Sequence, residues 1–104
     1  MYVTMNHFKI KPEYAEEYVK IWQDAQVRVE DVDGFLTFKF FRLDDKKTVE
    51  EGYVLFASYS EWESKEKFEA WKTSDHFKKS HSTGPKNRHM YIEHPHLKCF
   101  DVLM

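Results

Sequence analysis

Three patterns in the sequence predict an α+β fold with elements in the order strand, helix, strand, strand, helix, strand. Residues 2–10 and 35–43 alternate in the manner of half-buried strands. Tyr14, Tyr18, Ile21, Trp22 and Ala25 recur at spacings of three and four, which gathers them on one helical face. Turn signals at Asp33-Gly34 and in the charged run 44–51 separate a further pair of strands from the first helix.

The first strand spans Tyr2 to Ile10, with Val3, Met5, Phe8 and Ile10 apolar and a slip near Asn6-His7 that suggests a bulge. Pro12 opens the first helix, where its missing N–H costs nothing. Glu13, Glu16 and Glu17 favour the positive end of that helix, which is expected to run to about Val29 or Glu30. Phe35 to Leu43 is a second strand, with Phe35, Thr37, Lys39 and Phe41 on one face and Leu36, Phe38, Phe40 and Arg42 on the other. Asp44 to Glu51 reads as a polar hairpin loop, and Gly52 to Tyr59 as a third strand. Ser60 and Glu63 match a capping box for the second helix. Phe68 and Trp71 share a face of it; Thr73-Ser74-Asp75 interrupts it and offers a new N-cap. Phe77 and His81, four apart, share a face of the short piece that follows. Ser82 to Pro95 reads as a long loop, and Leu97 to Leu103 as the last strand.

That order is the split βαβ pattern of a ferredoxin-like fold, βαββαβ, with an antiparallel sheet and both helices on one face. The 104 residues suit one domain over 1–104. The opposite sheet face also carries large apolar residues, so a symmetric homodimer is expected to cover it. Aromatics make up 17% of the chain, more than a small core needs, so some should line a cavity or an interface.

The net charge of −2, with both signs interspersed, gives no case for nucleic acid or for an anionic membrane surface. Cys99 is the single cysteine, so no intrachain disulfide can form. No signal-like segment and no run approaching ~18 apolar residues is present, and a cytoplasmic protein is the expectation.

Chemistry concentrates in the stretch Phe68 to His81 and at Asn6. Asn6 is an amide within an apolar strand, and a buried amide without partners costs about 1–3 kcal/mol. It is either a site residue or an edge amide bonded to backbone at a bulge. Trp71 is either a core ring or the wall of a pocket, and His81 either a solvent-exposed histidine or a ligand. His89, His94, His96 and Cys99 cluster near the C-terminus, but their spacing matches no standard zinc pattern. His7 should point away from Asn6. No phosphate loop or Ser/His/Asp order appears.

The run Glu61-Trp62-Glu63-Ser64-Lys65-Glu66-Lys67-Phe68-Glu69-Ala70-Trp71, continued by Ser74, Phe77 and His81, resembles the antibiotic-biosynthesis monooxygenase superfamily. Within it, the chain is most similar to the Isd-type haem-degrading monooxygenases. Their motif is an Asn on the first strand, a Trp on the second helix and a His ten residues later; Asn6, Trp71 and His81 hold those places. Asp33-Gly34-Phe35 and the strand from Gly52 to Tyr59 extend the likeness over roughly residues 1–82. The first helix departs from it: Trp22, Gln23, Asp24, Ala25 and Gln26 stand where members often place basic or aromatic residues toward the cofactor, and Arg28 is not clearly in register.

The resemblance implies a dimeric α+β barrel. It implies His81 as the axial ligand of haem iron and Asn6 as an amide donor toward bound dioxygen. Trp71 would press the porphyrin out of plane, with Phe68 and Phe77 as walls. Haem would be both cofactor and substrate, with dioxygen and an external electron donor, a reductase, completing the reaction. Two alternatives stand beside it: a cofactor-free monooxygenase acting on a phenolic or quinol aromatic, and a haem-binding protein without turnover.

Overall fold

The computed structural model describes residues 1–25, 28–74 and 84–104 of the chain. Strand β1 (Tyr2–Ile10) lies inside a four-stranded antiparallel sheet of order β2-β3-β1-β4, flanked by β3 (Val54–Trp62) and β4 (His96–Asp101), with β2 (Phe35–Arg42) at the far edge. This is the ferredoxin-like arrangement. Alternation along β1 buries Tyr2, Thr4, Phe8 and Ile10. Those residues share the face that carries α1 (Ala15–Asp24) and α3 (Lys65–Lys72), through Tyr18 and Phe68 respectively.

α1 follows a 3-10 turn at Pro12–Tyr14 and places Ala15 and Tyr18 in the core, with Val19, Ile21 and Trp22 half-buried against it. It is shorter than its apolar stripe suggested: at Arg28 the backbone is extended, and Val29–Asp31 forms a separate 3-10 turn. Gly34 then takes a φ of +81°, and a Cβ there would stand 2.5 Å from Lys67 Cβ. Only glycine meets both demands.

A register shift between Phe35 and Thr37 alters the expected faces of β2. The bulge turns Phe35 toward the helices, where it stacks on Trp62 at 4.7 Å and 10°. It therefore joins Phe38 and Phe40 rather than Thr37 and Phe41. The run after β2 forms a short helix, α2 (Lys46–Glu50), where a plain loop was expected; Asp45 caps it by accepting from Lys47 N at 2.9 Å. Gly52, at φ +97°, reverses the chain into β3.

β3 runs three residues beyond the expected Tyr59. Ser60 pairs with Thr4 and Phe38, so it is a strand residue and not a helix cap. The cap of α3 is Ser64, whose hydroxyl accepts from Lys67 N at 3.2 Å. Thr73 and Ser74 hydroxyls bond back to Ala70 and Trp71 carbonyls at the end of α3. The further N-cap at Asp75, and Phe77 and His81 with it, lie outside the described residues.

The segment before β4 is not a plain loop: Gly84–Met90 is 3-10 helical and Met90 is buried. Lys11 N donates to Met90 O and Ile92 N to Lys9 O, both at 2.9 Å, which pins the segment to the end of β1.

The core divides in two. One cluster holds Phe8, Ile10, Ala15, Tyr18, Phe56 and Met90; the other holds Tyr2, Trp62 and Phe68 with Val32, Phe35 and Trp71 against it. Each large apolar side chain so buried contributes about 1.5–3 kcal/mol. The other sheet face presents Val3, Met5, His7, Leu55, Ala57, Tyr59, Phe41 and Phe100, and Phe41 and Phe100 remain 42% and 49% exposed.

Candidate functional site

The two clusters are separated by a polar seam on the helix side of the sheet. Phe8 pairs with Phe56 at one end and Tyr2 with Trp62 at the other; between them Asn6 pairs with Ser58 and Thr4 with Ser60. Directly opposed residues share a face. Four hydroxyl or amide side chains thus form the floor of a strip bordered by aromatic rings, spanning about 20 Å of strand between residues 2 and 8.

Asn6 Oδ1 is buried, and among the described residues no donor reaches it. Its neighbours on the floor do find partners: the Thr4 and Ser60 hydroxyls bond to each other, and Trp62 Nε1 donates to Ser60 Oγ at 2.9 Å. The strand therefore satisfies one half of the seam internally and leaves the amide oxygen open. A half-turn about χ2 would present NH₂ at the same position, so Asn6 offers this buried strip either a donor or an acceptor.

On one flank, Trp22 of α1 stacks on Phe40 at 4.7 Å and 15°, and lies parallel to Phe38 at 5.9 Å. On the other, Trp71 sits near the end of α3, half-buried, with its ring 5.4 Å from Trp62 and 6.2 Å from Phe68. A cleft of about 240 Å³ runs beside Trp71 between α3 and the 3-10 turn, lined by Asp31, Val32, Asp33, Lys67, Ala70 and Ser74. The Lys67–Asp33 ion pair crosses it, and the hydrogen bond to Asp33 raises the Lys67 ammonium pKa.

The candidate residues distribute as follows. Phe68 and Trp71 come together with Trp62, Phe68 being buried core and Trp71 partly open. Asn6 lies on the same side of the sheet, farther along β1. Arg28 is turned to solvent and engaged by Glu30 and Asp31, both at 3.3 Å. His7 faces the opposite side, in a cleft of about 280 Å³ with Phe41, Leu43, Leu55 and Ala57.

The C-terminal histidines do not converge. His89 packs edge-on against Tyr14 at 5.0 Å, His94 is exposed, and His96 faces Glu93 at 3.5 Å. Cys99 is exposed, and among the described residues no group of three metal-binding side chains forms. Sequence reasoning missed Ser58, Ser60 and Thr4. The one available signal was hydroxyls spaced two apart inside aromatic strands, and its meaning depends on cross-strand register.

A model of the antibiotic biosynthesis monooxygenase family matches residues 1–83. A staphylobilin-producing heme oxygenase of Staphylococcus saprophyticus is 25% identical over 88 residues, covering 85% of this chain and 80% of that one. The haem-degrader MhuD of Mycobacterium tuberculosis, solved with two haems in its active site, superposes with a TM-score of 0.75 at 23% identity, over 100% of this chain and 97% of that one. An antibiotic biosynthesis monooxygenase structure from Nitrosomonas europaea superposes at 0.73 with 17% identity, over 100% of both chains. Among the described residues no helix is long and apolar enough to cross a membrane.

Proposed function

Since this chain belongs to the antibiotic biosynthesis monooxygenase family, we propose that it is a haem-degrading monooxygenase. It binds haem and opens the porphyrin ring with dioxygen and electrons from an external reductase, releasing iron. The observation that carries this reading is Asn6 Oδ1: a buried amide atom without a partner among the described residues, on a floor between two banks of aromatic rings. A strip bordered by aromatic rings, with one open polar valence on its floor, suits a large flat ligand whose polar centre lies over that amide. The haem degradation performed by the staphylococcal and mycobacterial relatives supports the choice of ligand.

Bound haem would supply the iron at which dioxygen is activated, and would itself be the substrate. The chain's own residues do the rest. Asn6 would offer its amide to the polar centre of the bound ligand and orient it there. Trp71 would bear on the ring as one wall of the site, a contact through which a protein can tune haem reactivity. Phe68, buried behind Trp71, would back that wall, and Phe77, by resemblance, would extend it and exclude water. By resemblance, His81 would hold the haem iron through a neutral imidazole nitrogen. Two copies join across the uncovered sheet face as a homodimer, burying Phe41 and Phe100.

A specific observation favours a second reading. The cleft beside Trp71, about 240 Å³, is smaller than the roughly 300–1,000 Å³ of most ligand pockets. A single phenolic ring oxygenated without a cofactor would fit there.

The test is an anaerobic titration with haemin, followed by ascorbate and air with catalase present. Saturation, then decay of the Soret band with iron captured by a chelator, is expected. A saturable but stable band identifies a carrier, and no specific binding turns the assignment to the smaller aromatic.

A further inference from the structure

We propose that Ser60 is a positioning residue for Trp71, acting through the indole of Trp62; it rests on the reading of Trp71 as the wall of the site. Trp62 is 1% exposed at the end of β3, and a buried indole N–H needs an acceptor. Ser60 lies two residues earlier on the same strand face and supplies it, accepting from Nε1 at 2.9 Å. The Ser60 hydroxyl is itself held by Thr4, its cross-strand partner, which is 5% exposed. Both strands thus fix one hydroxyl, and that hydroxyl fixes one edge of the Trp62 ring.

The flat face of Trp62 is fixed separately by Phe35, parallel within 10° at 4.7 Å. Stacking sets the plane of a ring but leaves it free to turn within that plane; the hydrogen bond at its edge stops that turn. The ring so held meets Trp71 at 5.4 Å and 40°, and Phe68 at 5.4 Å and 64°. Close-packed rings transmit a displacement rather than absorb it. Without the Ser60 acceptor, the indole of Trp62 turns toward another, and Trp71 follows.

The chain holds three tryptophans, and the third provides the control. Trp22 belongs to the other cluster, stacked on Phe40 at 4.7 Å. Fluorine NMR of the full chain labelled with fluorotryptophan resolves one signal for each, assigned by single Trp→Phe changes. In Ser60→Ala the Trp62 and Trp71 signals shift while that of Trp22 stays; Ser60→Thr, which keeps the hydroxyl, restores both. In the haemin-loaded protein, Ser60→Ala slows ring opening on the order of tenfold. A Trp71 signal unmoved in Ser60→Ala overturns the proposal, because the serine then serves Trp62 alone. Displacement of all three signals overturns it too, because the role is then general stability. The fluorine readout needs no haem, so it separates failure of this inference from failure of the haem assignment.

Discussion

Around Tyr18 the rings close on one another from every side, whereas around Trp62 they stop at a hydroxyl pair on one side and a cleft on the other. Tyr18 meets Phe8, Phe56, Phe40, Trp22 and Tyr91 within 6.3 Å, and its hydroxyl is spent on Tyr91 at 3.0 Å. Trp62 is equally buried, but its N–H leads to the polar seam and its face supports a half-exposed Trp71. The same residue types thus build a sealed core at one end of the sheet and, at the other, a cluster open on one side to a cleft, the scaffold of the proposed site. The difference comes from what β1 and β3 place beside them: Ile10 and Val54 at the sealed end, Thr4, Asn6, Ser58 and Ser60 toward the open one.

The largest expected effect sets the clusters against each other. Phe56→Ala, at a fully buried position, should cost about 3–5 kcal/mol in chemical denaturation. Trp71→Ala should cost about 1–2 kcal/mol, yet slow haem ring opening roughly 100-fold. Equal losses of stability would erase the distinction between core and scaffold.

A second substitution tests the strut that carries the open cluster. Gly34 sits at φ +81° with no room for a Cβ against Lys67. Gly34→Ala should destabilise the fold by about 1–3 kcal/mol, read from the denaturation midpoint. It should also disturb Trp71 before it disturbs Trp22, because Lys67 lies in α3 beside the Trp71 cleft.

Alkaline pH compares a tyrosine from each cluster. Burial, reinforced by the Tyr91 hydrogen bond, pushes the Tyr18 phenol far above its ordinary value of 10.0. The hydrogen bond with Cys99, together with burial, pushes Tyr2 up to about 12. In both cases the unfolded chain ionises first. Stability is therefore full below the ordinary tyrosine range and falls as pH rises from about 10 toward 12. Tyr2→Phe and Tyr18→Phe should each flatten that decline in thermal unfolding measured across the range; an unchanged slope in both would remove these phenols from the account.

The element order, the sheet and the helix faces were legible in the sequence because periodicity reports burial directly. Three features were not. Ser60-x-x-Glu63 has the form of a helix start, but pairing with Thr4 and Phe38 keeps Ser60 in the strand. Phe35 obeys no simple alternation because the bulge before Thr37 is invisible to a period of two. Met90 stands in a polar stretch with no periodicity, and becomes core only because Lys11 and Ile92 bond that stretch to the end of β1. At the site, Asn6 stood out as an amide among apolar neighbours, and Trp71 through resemblance. The hydroxyls that complete the floor needed the register of two strands, which no single segment encodes.

Asn6→Ala isolates the open end with the smallest structural disturbance. It removes a buried amide whose oxygen has no partner among the described residues, so stability should stay within about 1 kcal/mol of the parent or rise slightly. The decisive measurement is single-turnover decay of the haem Soret band in this variant beside the unaltered chain. The role assigned to Asn6 requires retained haemin binding with ring opening slowed by about 100-fold or more. Ring opening at the parent rate would contradict it.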